Sequence, residues 1–202
     1  MDLKLPHSIR VSGIGGQGNV LMGIILAEAL VNEGFWVVQT QSYGAQVRGG
    51  LSYCDVIFCK NRIDYPMAQD FDIIYSMHQT AVYNHAALIK TNGVLIVDST
   101  YVNSIPKEAQ RTTRRIIAKP ITRMTQEKFK SSVPANMVGL GLISRATKIV
   151  SVSNLKKAMR KHVKESYYEL NEKALDFGYS LIERTFNLKD EERHEFVGRG
   201  FE

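Results

Sequence analysis

Cysteine is scarce in this chain: its 202 residues include two, Cys54 and Cys59. They stand five apart in a stretch that reads as a strand, so they face opposite sides of it. That spacing suits neither a disulfide nor two ligands of one metal. With no Cys-x-x-Cys-x-x-Cys set, the chain holds no iron–sulfur cluster alone. Long apolar runs are missing too, and none approaches the roughly 20 residues that span a bilayer. Met1 to Ser8 lacks the apolar centre of a signal peptide, so the expectation is a cytoplasmic protein with no membrane partner. The five histidines, His7, His78, His85, His162 and His194, show no metal-ligand spacing. No serine sits in a nucleophile elbow. Neither a catalytic residue nor a metal is expected in this chain.

What is present fits one globular domain. The length suffices for a substantial core, and 44% of residues are hydrophobic. The net charge is +6. Its excess gathers in Arg111, Arg114, Arg115, Lys119 and Arg123, and again in Lys156, Lys157, Arg160, Lys161 and Lys164. A basic surface can meet nucleic acid, a phosphate-bearing cofactor or an acidic protein. No nucleic-acid motif or aromatic interleaving accompanies the charges, so solvated helix faces are expected and nucleic acid is not.

Along the chain, Ile9 to Ile14 reads as a strand and Asn19 to Asn32 as a helix, apolar nearly all round and therefore buried. Gly34 ends it, and Phe35 to Thr40 reads as a second strand, the start of a right-handed βαβ unit. Further strands are expected at Leu51 to Cys59, Asp72 to Met77, Val94 to Val97 and Arg115 to Ala118. A helix is expected over Gln79 to Lys90, with a turn at Asn92-Gly93. After Ala118 the chain reads as helical, with an apolar helix over Ala135 to Ala146 after Pro134 and Ser153 as an N-cap. Ser153 precedes an apolar stripe of Leu155, Ala158, Met159, His162 and Val163, which makes His162 a core residue. The fold class is α/β: a Rossmann-like three-layer sheet with helices on both faces and a helical C-terminal third. Residues 1–186 are expected to form the single domain and 187–202 a charged tail, disordered or ordered by a partner.

Two motifs stand out. Gly13-Ile14-Gly15-Gly16-Gln17-Gly18 follows a strand and opens a helix. Its glycines let backbone approach an anion, and the helix start supplies N–H groups and a positive dipole. The same turn could take a carboxylate or a partner's carbonyl, or serve close strand-to-helix packing. Dinucleotide binding needs an acid at the end of the second strand. Here the strand ends Val38-Gln39-Thr40-Gln41, which argues against it. The second motif, Gln39 to Gly50, carries Ser42-Tyr43-Gly44 and Arg48-Gly49-Gly50. Its arginine offers a fixed fork of donors to carboxylate or phosphate, and Tyr43 a flat face with a hydroxyl.

These two motifs together resemble the gamma subunit, or gamma domain, of pyruvate and related 2-oxoacid:ferredoxin oxidoreductases. The resemblance runs over about residues 9 to 184. It continues at Ile63-Asp64-Tyr65-Pro66, at Gly93 to Asp98, at Asn136-Met137-Val138-Gly139-Leu140-Gly141, and at Asn171-Glu172-Lys173-Ala174 with Gly178. Gln39 to Tyr43 and Ile63 to Pro66 look most like the 2-oxoglutarate type. The pyruvate and branched-chain types stay open, and the indolepyruvate type ranks last. One departure is Gln46, where the family often has a glutamate.

The resemblance implies a non-catalytic subunit in a complex that oxidises a 2-oxoacid to an acyl-CoA and passes electrons to ferredoxin. Thiamine diphosphate and iron–sulfur clusters would sit on alpha and beta subunits or a ferredoxin-like delta chain, with none bound by this chain alone. In keeping with that, the sequence has no Gly-Asp-Gly thiamine motif. Its own role would be assembly, and holding part of coenzyme A or the substrate-side crevice, with Gly15, Gly16, Gln17, Gly18, Ser42, Tyr43, Gly44, Arg48, Gly49, Gly50 and Asn136 as the ligand or interface residues and Arg48 clamping the anion. Other readings are a scaffold that kept the fold and a nicotinamide-dependent oxidoreductase. Purified alone, such a subunit is expected to form a homo-oligomer.

Overall fold

The structure is a computed structural model that describes residues 3–43 and 50–189. A sheet of six strands carries the fold in the order β2-β3-β1-β4-β5-β6. The strands are β1 (His7–Ile14), β2 (Trp36–Tyr43), β3 (Leu51–Cys59), β4 (Phe71–Ser76), β5 (Ile89–Asp98) and β6 (Arg115–Lys119). β1, β4, β5 and β6 run parallel, while β3 is antiparallel to both β1 and β2. The α/β class holds, with one refinement to the expected βαβ start. The helix α1 (Asn19–Asn32) does link β1 to a parallel β2, but β3 is inserted between them. Only residues 44–50 join β2 to β3, too few for a parallel crossover, so the two strands pair as neighbours running opposite ways.

Helices cover both faces. On one lie α1, α4 (Ile121–Phe129), α5 (Ala135–Thr147), α6 (Val152–His162) and α7 (Tyr168–Ser180), with Val11, Ile73, Val94 and Ile96 in the same core. On the other, α2 (Gln79–His85), the 3-10 turn after it and α3 (Lys107–Thr112) pack through Val82, Ala86 and Ala109 respectively on Ile74, Leu95 and Val97. α1 has the expected bounds. Its first residue, Asn19, is tied to β3 by Nδ2 donating to the Ser52 carbonyl at 2.6 Å.

Several boundaries differ. The helix expected to reach Lys90 stops at His85; a 3-10 turn, Ala86–Leu88, follows, and Ile89 already pairs with Phe71. Asn92-Gly93 therefore lies inside β5, where the register shifts. Ser151, not Ser153, caps α6, its Oγ accepting from Asn154 N at 3.2 Å. α3 was not anticipated, and α4 falls in the stretch expected to be helical, with no bounds of its own given. α4 has no side-chain cap at Pro120, but the buried Asp98 at the end of β5 accepts from Thr122 N at 3.0 Å and Thr122 Oγ1 at 2.5 Å. That bond joins residues 24 apart and anchors the start of α4 to the sheet. Packing continues past the expected domain end, since Leu188 is buried in the main core.

Candidate functional site

The glycine turn and the two described flanks of the second motif come together at one end of the sheet. β1 ends at Ile14 opposite Leu51, and β2 ends at Tyr43 opposite Ser52. The glycine turn and the flanks of the tyrosine–arginine loop therefore meet, and Gly15 N donates to the Gly50 carbonyl at 2.9 Å. Tyr43 contributes backbone to β2. Gly44, Gln46, Arg48 and Gly49 lie outside the described residues.

The turn is closed from within by Gln17. Its Oε1 accepts from Ile14 N at 2.9 Å and its Nε2 donates to the Met77 carbonyl at 3.0 Å. Gln17 thus fastens the turn to β4 and points inward. Gly16 (φ 100) and Gly18 (φ 77) adopt the left-handed conformation that a side chain rarely takes. Gly16 is exposed at the tip, with nothing within 4 Å of where a Cβ would stand. Gly18 is the N-cap of α1, and no side chain caps the helix. The first amides of α1 therefore point out of its end with no acceptor in the helix itself. Asn136, near the start of α5, reaches the same place from the other side. It is buried, its Oδ1 accepts from Met137 N at 2.9 Å, and a Cβ at Gly18 would stand 2.5 Å from its Nδ2. A helix start with uncapped amides, an amide side chain beside it and no carboxylate among these groups suits an anion. His78 follows Met77 at this rim. Its Nδ1 accepts from Thr80 N at 3.2 Å, and its ring lies 6.3 Å from that of Tyr101. Sequence reasoning passed over both, because only the end of β4 beside β1 places them here.

The strand order bears on the nicotinamide reading. In a standard dinucleotide fold the strand after the first helix lies directly beside the first strand and presents its acid to the ribose. Here β3 occupies that place, and β2, ending in Gln41-Ser42-Tyr43, is one strand further out.

The other histidines are elsewhere. His162 is a correction: it is exposed, 4.0 Å from Glu28, because the stripe turns away from the core at the end of α6. The basic face of α6 is met by this chain's own acids, through Lys156–Asp176, Arg160–Glu172 and Lys161–Glu28 pairs. His7 lies 3.1 Å from Asp72 at the opposite end of the sheet, beside a cavity of about 520 Å³ lined also by Tyr65, Met67 and Lys90. Burial raises the Asp72 pKa, but the His7 hydrogen bond and the Lys90 charge outweigh it and hold the group at about 2. Among the described residues no group of three or more His, Cys, Asp or Glu is placed to hold a metal ion. No helix among them is long and apolar enough to cross a membrane.

His85 is buried edge-on to Tyr53 at 5.0 Å, and its Nδ1 has no hydrogen-bond partner. Burial, with the nearby Arg10 charge, lowers its pKa from 6.5 to about 4. The folded chain thus keeps His85 neutral where the unfolded chain protonates it. That stability is complete above pH 6.5 and is lost as pH falls towards 4. Urea unfolding at pH 7 and pH 4 is expected to show a loss of about 2 kcal/mol that is missing from His85→Leu. An equal loss in that variant would place the effect on other groups.

Residues 8–181 match the family model described as pyruvate ferredoxin/flavodoxin oxidoreductase. The 2-oxoglutarate synthase subunit KorC of Methanothermobacter marburgensis is 37% identical over 181 residues, 88% of this chain and 97% of that protein. Among solved structures, the gamma subunit of a keto/oxoacid ferredoxin oxidoreductase from Geobacter sulfurreducens aligns with a TM-score of 0.76 and 35% identity, covering 87% of this chain and 95% of that one. A 2-oxoglutarate:ferredoxin oxidoreductase from Magnetococcus marinus, solved with 2-oxoglutarate, coenzyme A and succinyl-CoA bound, has the same fold. It aligns with a TM-score of 0.76 at 24% identity, over 93% of this chain and 33% of that one. The family model spans β1 through α7 and both motifs at the glycine end of the sheet, and the chain belongs to the pyruvate ferredoxin/flavodoxin oxidoreductase family as a gamma-type chain.

Proposed function

We propose that this chain is the gamma subunit of a cytoplasmic 2-oxoglutarate:ferredoxin oxidoreductase and helps that complex bind coenzyme A. The observation that carries the substrate is the near end-to-end match to a 2-oxoglutarate synthase subunit. In the complex, alpha and beta subunits, with a ferredoxin-like chain, would supply thiamine diphosphate and clusters, and this chain would supply no reacting group. The glycine turn, the uncapped start of α1 and Asn136 would meet a phosphate of the coenzyme. Arg48, in the second motif between Tyr43 and Gly50, would clamp it.

The test is an oxygen-free pull-down of the tagged chain from its own cells, followed by assay of viologen reduction. The expected result is co-purified alpha and beta chains with activity that requires both 2-oxoglutarate and coenzyme A. Activity on pyruvate or 2-oxoisovalerate instead would reassign the substrate, and a chain recovered alone would favour a scaffold. In the assembled complex, Asn136→Ala and Arg48→Ala are each expected to raise the coenzyme A concentration at half-maximal rate about tenfold or more. That corresponds to the loss of one hydrogen bond to a charged group. The rate at saturating coenzyme should change little. A coenzyme dependence that stays put in both variants removes this chain from coenzyme binding.

A further inference from the structure

The two edges of the sheet are built differently. β6, at one edge, has 5 residues and both begins and ends in a cation, Arg115 and Lys119. Short length and charge are the devices by which an edge strand discourages pairing. β2, at the other edge, has 8 residues, Trp-Val-Val-Gln-Thr-Gln-Ser-Tyr, with no charge and no proline. Among the described residues no strand lies beyond it. Trp36, at its start, is 58% exposed, and Thr40 and Gln41 are exposed as well. Alternate residues of such a strand present N–H and C=O groups outward, ready for another strand.

We propose that β2 is a docking edge for β2 of a second copy of this chain, paired antiparallel across a two-fold axis so that the two sheets become one. The occupant follows from the strand's own chemistry. A two-fold contact sets a strand against itself, so any charged residue near its centre would meet its own copy. β2 carries none over its whole length, whereas β6 would bring like charges together. The pleat restricts the register. The axis stands perpendicular to the sheet, so side chains directly opposite must project to the same face, and the pairing centres on a residue, Gln39 or Thr40, not between two. Val37, Gln39 and Gln41 then continue the face on which Gln39 Nε2 donates to Cys54 Sγ at 3.0 Å, beneath α1. Trp36, Val38 and Thr40 continue the other face, where Val38 is in register with the buried Ile57. In the register centred on Gln39, Trp36 lies opposite Ser42 of the other copy and diagonal to its Thr40, which covers its exposed indole.

This inference needs neither coenzyme nor another subunit, so its failure leaves the functional reading standing. The experiment is light scattering on the full-length chain. The expected mass is twice 22.8 kDa. Thr40 is exposed and sits at or next to the axis in either register, so Thr40→Lys and Thr40→Glu each bring like charges together. Each is expected to raise the dimer dissociation constant at least about tenfold, while an equal mixture of the two recovers the dimer. Hydrogen exchange on the unaltered chain gives a second reading, with amides of Trp36–Tyr43 slowing as concentration rises. A wild-type mass of 22.8 kDa overturns the proposal. So does a dimer untouched by either charge, or exchange in β2 that ignores concentration. Protection of β2 only in the presence of other subunits would give the edge to one of them and overturn pairing with a second copy.

Discussion

Gly178→Ala is expected to cost about 3 kcal/mol or more and to lower the melting temperature by roughly 6–12 °C. The reason is the closeness of α5 and α7. A Cβ at Gly178 would fall on the Val138 carbonyl oxygen, with the carbonyl carbon at 2.7 Å and the Cα at 2.9 Å. The contact is reciprocal, because a Cβ at Gly141 of α5 would fall on the Leu175 carbonyl oxygen and stand 2.8 Å from Tyr179 N. Both obstacles are backbone, which no rotamer change relieves, so the helices must move apart. α5 is buried along nearly its whole length, and separation would loosen Met137, Leu140 and Ile143 from the main core. Gly16→Ala is the matched control. Its Cβ would meet nothing within 4 Å, and the variant carries only the strain of a positive φ, about 1–2 kcal/mol. Urea melts of the two variants separate close approach from backbone conformation. Equal losses would show that the α5–α7 contact yields more easily than its geometry implies.

The same helices show what was legible in the sequence. α5 reads as buried because apolar and small residues surround it on every side, and its bounds differ from the expected ones by one residue. α1 was equally plain, because the glycine turn starts it and Gly34 follows its end. The strands were legible too, since β-branched and aromatic runs mark them. Their order was harder. The position of β3 between β1 and β2 follows from the short 44–50 connection, a matter of chain length and not of composition. α3, and the bounds of α4, were not legible, for a different reason. Both follow a proline, have no capping side chain of their own and are short, and α4 takes its cap from Asp98 on another element. At the candidate site, the residues of each motif were visible as chemistry. That Gly15 bonds Gly50 and that Asn136 faces Gly18 depends on three elements meeting, which local pattern does not encode. His162 failed because helical spacing shows which residues share a stripe, but not where the helix end leaves the core.

Asp55→Ala is expected to cost about 3–5 kcal/mol, as much as any substitution in the sheet. Arg10 and Asp55 stand opposite each other on β1 and β3, both buried. Arg10 Nε donates to Asp55 Oδ1 and Nη2 to Oδ2, each at 2.7 Å. The guanidinium lies 4.1 Å from the Tyr53 ring centre and 4.3 Å from that of Phe71. Water therefore has little access, and removing the carboxylate leaves a cation among aromatic rings with no counter-charge. The pair itself is a different matter, because its attraction is offset by the desolvation of both ions. Arg10→Met with Asp55→Leu should restore most of the loss, and the double variant should lie within about 1–2 kcal/mol of the parent. His85 provides an independent check. Arg10 helps hold its pKa down, so taking away that cation should shift the acid-sensitive step of unfolding from near pH 4 towards pH 6.5. The measurement is a double-mutant cycle in urea at pH 7, repeated at pH 5. A double variant as unstable as Asp55→Ala would mean that the site needs the salt bridge for its shape and not for charge balance.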